Sequence, residues 1–279
     1  MPVHDDLGKR MKEYYEQVPK TRLIRRMPVA IRIDGKAFHT LTKGFDKPFD
    51  DVLIKTMQET TKYLCENIQG CVLGYTQSDE ITLILVDYKT LDTSAWFDYE
   101  VQKMCSVSAS MATMAFNKIF AENCQEWFNN VPIEDLENKE SYVDRLFNAY
   151  SAAFEKGAMF DARVFNIPKE EVTNLIYWRQ LDATRNSIQM VGQSCFSHKE
   201  LQGKSCNMIQ DMLLTQKDIN WNNFPCHQRR GTCVIRQDMI KLVDGVLTTR
   251  NEWYIDKCIP IFKGEDRKYI DKLIFVGET

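Results

Sequence analysis

The feature that most constrains this chain is the order of its strand-like and helix-like segments. "PVAIRID" (28–34) alternates apolar and polar residues as a half-buried strand does. "GCVLGYTQSDEITLILVDY" supplies two more strands, over 71–76 and 81–88, joined by a short polar turn, and the simplest reading is a hairpin. "AMFDARVFNIP" (158–168) supplies another, ended by Pro168. A loop rich in Gly, Lys and Pro and a helix over 50–67 separate the first strand from the hairpin. Small and apolar residues at helical spacing over 96–122 separate the hairpin from the last strand. The order is strand, helix, strand, strand, helix, strand, which predicts an α+β fold with a ferredoxin-like βαββαβ sheet.

Around this unit the sequence predicts a first helix over 5–17, capped by Asp5 or Asp6. Beyond Pro168 a long helix begins with Glu170 and Glu171 in its first turn, where they complement the helix dipole. A shorter helix over 205–214 and the strands "GTCVIRQ" and "GVLTTRNEWYI" follow. The chain therefore divides into residues 1–168, carrying the βαββαβ unit, and a helical and β extension over 169–279, packed on it. Residues 123–145 read as a polar insertion, and no repeat, low-complexity segment or flexible linker interrupts the pattern.

Composition narrows the function classes. No apolar run approaches the roughly 20 residues of a membrane helix, and the N-terminus lacks a signal-peptide core, so a cytoplasmic, membrane-free protein is expected. Nine cysteines without a C-x-x-C pair read as reduced, mostly buried hydrophobes. His4, His39, His198 and His227 do not fall at zinc-ligand spacing. A net charge of -3 excludes a uniformly basic coat. Local positive charge in "KTRLIRR", "HQRRG" and "KGEDRKYIDK", against the acidic "PIEDLENKE", permits RNA binding, although most charge runs are only solvated faces.

Two acids carry the chemical reading. In a βαββαβ sheet the first and third strands lie side by side, so Asp34, ending the first, can meet Asp79 in the turn entering the third. Read singly, "DG" and "SDE" are ordinary turn residues. Read together on this sheet, two mutually repelling carboxylates form a site for Mg²⁺, which takes oxygen ligands and keeps positions for phosphates. Gly35 lets the backbone approach a ligand closely and offers its carbonyl. The pattern is polymerase-palm-like, and two ions there can activate a hydroxyl and stabilise a leaving pyrophosphate.

The segments "RIDGKAFH", "KPFD", "YTQSDE", "FDARV" and "WRQLDATRNS" together resemble the tRNA-histidine guanylyltransferase family, over residues 6 to 238. That resemblance implies nucleotide addition to RNA in the 3'-5' direction on a polymerase-type palm. It places two Mg²⁺ ions on Asp34, Gly35 and Asp79, with Glu80 as a supporting catalytic carboxylate. It assigns nucleotide contacts to Lys36, Ala37, Phe38, His39, Lys47, Ser78 and Lys103. Taken alone, Lys47 and Lys103 read as solvated lysines and Phe38 reads equally well as a core aromatic. Candidates for holding tRNA phosphates are Arg179, Arg185, Asn186, Lys199, Lys204, Arg229 and Arg230, each of which is by itself an ordinary surface residue.

One departure bears on substrate. Where the family's histidine-tRNA enzymes read D-C-H-x-N-N, this chain has Asp182, Ala183, Thr184, Arg185, Asn186 and Ser187. This looks like the bacterial, phage or archaeal relatives that repair truncated tRNA 5' ends under a template. The resemblance thus implies ATP and GTP or other nucleoside triphosphates as substrates, tRNA as partner and a homotetramer. Alternatives are addition of G to histidine tRNA, a palm-fold nucleotide cyclase, and a noncatalytic RNA-binding ferredoxin-like module, which would ordinarily carry aromatics rather than acids on its sheet.

Overall fold

The structure is a computed structural model that describes residues 5–131, 142–243 and 246–276. The acidic stretch 132–140 and His4 lie outside the described residues. Six strands form one antiparallel sheet: β1 (Val29–Gly35), β2 (Cys71–Gln77), β3 (Glu80–Leu85), β4 (Phe160–Asn166), β5 (Thr232–Val243) and β6 (Val246–Asp256). Their spatial order is β4-β1-β3-β2-β5-β6. The hairpin partner β3 is thus also the neighbour of β1, the adjacency expected from the strand order. Through β5, paired to β2 from Thr76↔Thr232 to Leu73↔Ile235, the C-terminal third joins the same sheet.

The described helices are α1 (Asp6–Met11), α2 (Phe38–Leu41), α3 (Asp51–Asn67), α4 (Val101–Asn129), α5 (Tyr142–Lys156), α6 (Lys169–Cys195), α7 (His198–Leu201), α8 (Cys206–Lys217), α9 (Cys226–Arg230) and α10 (Lys268–Ile274). Strand alternation gives β1 two buried faces. Val29, Ile31 and Ile33, with Ile81, Leu83 and Leu85, pack into a core with Met57 and Leu64 of α3 and Phe116 and Phe120 of α4. Ala30 and Ile84, with Val72, face Val172 and Ile176 of α6 and Ile270 and Ile274 of α10. Coverage on both sides explains why β2 is buried along its whole length and reads as a near-continuous apolar run.

Local chemistry sets the helix starts. Asp50 Oδ1 accepts the Leu53 N–H at 2.8 Å and caps α3. Asp5 Oδ1 accepts the Gly8 N–H at 2.7 Å and caps α1, which continues as one wider turn, Lys12–Glu16. Pro168 precedes α6, whose first turn holds Glu170 and Glu171. Ser205 caps α8 through the Met208 N–H at 3.3 Å.

The structure departs from the sequence reading in three places. Helix α4 starts at Val101 and not at 96, because Phe97 and Asp98 adopt φ of 50° and 51° in a tight turn. The supposed polar insertion contains the end of α4 and the start of α5, which buries Val143, Leu146, Ala149, Tyr150 and Ala153 at helical spacing. Charged residues on its other face hide that stripe from a scan of average polarity. Helix α10 was likewise unforeseen; Tyr88 inside the second core donates its hydroxyl to the Ile274 carbonyl at 3.1 Å.

Gly74 in β2 lies where a Cβ would sit 2.6 Å from Cys65 Sγ and 2.7 Å from Thr61 Cγ2 on α3. Gly74→Ala is expected to lower stability by about 1–3 kcal/mol through overpacking, read from the midpoint of a urea unfolding curve.

Candidate active site

The ends of β1, β3 and β4 converge. Asp34 lies opposite Glu80 on β3 and Asp161 on β4. The Gly35 N–H donates to the Asp79 carbonyl at 3.1 Å, and the Lys36 N–H donates to the Met159 carbonyl at 2.8 Å. The end of β1 is therefore clamped on both sides. Ser78, at φ 49°, makes the turn that delivers Asp79.

Both carboxylates are harder to ionise than usual. Burial pushes Asp79 up, Asp34 and Glu80 push it further, and the Ser78 hydroxyl, donating to Asp79 Oδ1 at 3.0 Å, works in the other direction. Asp34 is raised by burial and by the charges of Glu80 and Asp161, with partial relief from Arg163 and Arg32. Among the described residues no salt bridge reaches either group. Nor does any cluster of three or more His, Cys, Asp or Glu side chains form a metal cage there. Two strained acids beside backbone oxygens match a hard cation that takes its remaining ligands from water or phosphate.

Glu80 has another role than that expected. Its Oε2 accepts Arg32 Nη2 at 3.4 Å and Arg179 Nη2 at 2.5 Å. A carboxylate neutralised by two guanidinium groups is a positioning residue of the hairpin, not a free catalytic acid. Arg179 requires the matching correction. It is only 4% exposed and also donates to Asp182 Oδ2 at 2.8 Å, so it is out of reach of a tRNA phosphate. The other oxygen of Asp182 bonds the exposed Arg185.

Gly35 is required by its neighbour as well as by any ligand: a Cβ there would lie 2.3 Å from Phe38 Cδ2. The Phe38 ring is buried against Phe116 and Phe160, with centroids at 5.4 and 5.2 Å. It is a core aromatic, and only its backbone can contact a nucleotide. Lys36, Ala37 and His39 are exposed around the start of α2, where Ala37 takes φ 55°. Lys47 is exposed on the following loop, its N–H on Asp46 Oδ1 at 2.9 Å. Lys103 is not brought to the site. Its ammonium sits 4.8 Å from the Phe97 ring centroid in the first turn of α4. The helix reaches Phe160, opposite Gly35, only at Thr113, about 15 Å further along its axis.

Ser78 and Asn186 meet in a cleft of about 90 Å³. Phe49, Gln77, His227 and Gln228 also line it, and the sequence reading had not placed them there. Of the expected RNA contacts, Arg229 is half-buried, donating Nε to the Phe224 carbonyl at 2.7 Å, and Arg230 is half-buried beside it. Lys199 and Lys204 are exposed beyond the C-terminal end of α6, where Lys204 shares a groove with Gln189 and Gln193. Among the described residues no helix is long and apolar enough to cross a membrane.

Residues 8–168, which contain Asp34, Gly35, Asp79 and Glu80, match the family model described as Thg1: tRNAHis guanylyltransferase. The chain belongs to this family. Thg1 members are nucleotidyltransferases, and this chain is therefore an enzyme of that class. A solved bacterial tRNA(His) guanylyltransferase (Thg1)-like protein in complex with ATP is 39% identical. It superposes with a TM-score of 0.77, covering 97% of this chain and 100% of that one. A structure of a bacterial Thg1-like protein in complex with GTP gives 37% identity and a TM-score of 0.74, with the same coverage. The tRNA(His) guanylyltransferase of Saccharomyces cerevisiae is 24% identical over 226 residues, 76% of this chain and 84% of the relative.

The electrostatics fix two outcomes. Because the folded state raises both acids, it holds protons more tightly than the unfolded chain, and their ionisation costs stability as pH rises. Without metal, Asp79→Asn is expected to melt at a higher temperature than the parent at pH 7. That gain should vanish below about pH 4, where carboxylates are protonated in both states. Arg179→Met, which leaves Glu80 and Asp182 without their shared partner, is expected to cost about 3–5 kcal/mol in denaturant unfolding.

Proposed function

We propose that this Thg1 family member adds nucleotides to the 5' end of tRNA in the 3'-5' direction, repairing truncated ends by copying the opposing base. The observation that carries the reading is the Asp34 and Asp79 pair, clamped at one sheet end and without a salt bridge among the described residues. Spatial order β4-β1-β3-β2 with α3 and α4 on one face supports a ferredoxin-like, polymerase-type palm. Asp34, the Gly35 carbonyl and Asp79 would hold Mg²⁺, which supplies charge neutralisation for phosphoryl transfer and lowers the pKa of an attacking hydroxyl.

In the first step an oxygen of the RNA 5'-phosphate attacks the α-phosphate of ATP and pyrophosphate leaves. In the second, the 3'-hydroxyl of the incoming nucleoside triphosphate attacks the adenylylated 5'-phosphate, loses its proton, and AMP leaves. Lys36, His39 and Lys47, exposed at the start of α2 and on the loop after it, would meet the phosphates, and Ser78, next to Asp79 in the chain, lines a cleft with Asn186. Solved relatives carrying ATP and GTP support both nucleotide roles. Base pairing selects the nucleotide, so the protein need only hold the helix by shape and charge. Lys103 sits in the first turn of α4 and Lys199 and Lys204 beyond the C-terminal end of α6, and in a homotetramer they would contact a second copy's substrate.

A second reading, addition of G to histidine tRNA, has the names of the curated relatives behind it. Thr184 and Ser187, standing where the histidine-tRNA enzymes carry His and Asn, favour repair. Incubation with Mg²⁺, ATP and nucleoside triphosphates should extend a tRNA lacking its first 5' nucleotide, with the added base following the opposing one. Asp79→Asn should lower that rate by roughly a hundredfold or more. An Asp79→Asn variant as active as the parent would sink the assignment. Addition of G to intact histidine tRNA whatever base lies opposite would favour the second reading.

A further inference from the structure

Trp178 belongs to none of the roles above. It lies on α6 between residues that are almost wholly buried, Ile176 at 0% and Arg179 at 4%, yet it is 52% exposed. Indoles ordinarily bury most of their area, so one this open, on the exposed face of α6 that also carries Asn174 and Leu181, is unusual. Its surroundings are equally specific. The guanidinium carbons of Arg32 and Arg179 lie 5.2 and 4.5 Å from the ring centroid. Both guanidinium groups are anchored to one oxygen of Glu80, so neither is free to swing away. Arg163, 59% exposed, faces Arg32 from β4, and Arg185, 60% exposed, lies two helical turns further along α6.

We propose that Trp178 is a stacking platform for the terminal nucleobase of the RNA whose 5' end reacts at Asp34, an assignment that rests on the proposed RNA-directed activity. An exposed aromatic bordered by fixed cations is the chemistry that receives a base and its phosphates. An apolar protein segment would have to desolvate Arg32 and Arg163 for no compensating contact. Position selects the RNA end over the nucleoside triphosphate. Arg32 precedes Asp34 by two residues on the same face of β1, about 7 Å along the strand. The platform therefore stands one or two nucleotides from the carboxylate pair. The cleft at Ser78, Asn186 and His227 is lined from β2 and the segment before β5, whereas Trp178 lies against Arg32 of β1, the strand that pairs with the edge strand β4. A duplex end can reach it there without entering the cleft.

The test uses an acceptor-stem hairpin RNA with 2-aminopurine at its 5'-terminal position, titrated with protein in the absence of nucleotide and Mg²⁺. Binding to the parent chain should quench the probe. Trp178→Leu should bind roughly five- to a hundredfold more weakly and lose the quench, whereas Trp178→Phe should retain most of both. In the extension assay the KM for RNA should rise in Trp178→Leu while the KM for ATP stays unchanged, with an unaltered melting temperature and subunit assembly. A parent that binds and extends RNA, with a Trp178→Leu variant that binds and quenches equally, overturns the platform and leaves the proposed activity standing. A parent that binds no RNA overturns both. A loss confined to ATP, or a change in assembly with RNA binding intact, gives Trp178 a different occupant and overturns the assignment.

Discussion

The antiparallel pairing of β1 with β3 is the constraint on which the rest of the molecule depends. It joins segments 45 positions apart, Asp34 and Asp79, through one backbone hydrogen bond from Gly35 and a register that sets Asp34 against Glu80. The pairing is central in the sheet and buried on both faces, with α3 and α4 below and α6 above. That two-sided core supplies the free energy needed to hold acids together that repel each other and resist burial.

Charge at this sheet end is sorted by position. Glu80 takes Arg32 and Arg179, and Asp161 takes Arg163 at 3.6 Å, while Asp34 and Asp79 are left to ionise against each other. Glu80, between two guanidinium groups, ties the hairpin to β1 and α6, and Asp34 and Asp79 have no such salt bridge among the described residues. The same arginines that neutralise Glu80 also fix the border of Trp178, so one salt-bridge network serves both the carboxylate pair and the aromatic beside it.

Much of the fold was legible in the sequence. The β1 alternation, the hairpin, Pro168 and the long apolar spacing of α4 and α6 each carry a local signal, and their order led to the sheet adjacency. Helix α5 escaped because its apolar stripe is narrow and follows a polar stretch, so average polarity masks a period that Val143, Leu146, Tyr150 and Ala153 nevertheless keep. The geometry of the candidate site was legible where residue type and strand position coincide, in the approach of Asp34 and Gly35 to Ser78 and Asp79. It was illegible where the partner of a side chain decides its role.

Residue order alone, acting through alternation, capping and turn chemistry over a few neighbours, settles which segments become strands and helices and that two acids end on adjacent turns. Folding decides everything that depends on contacts across the chain. It turns the Phe38 ring into the core, encloses Arg179 against Glu80, leaves Lys103 at the far end of α4 and exposes Trp178 above β1. The physical reason is that local conformational preference acts over a few residues, whereas burial and ion pairing are set by neighbours tens to a hundred positions away.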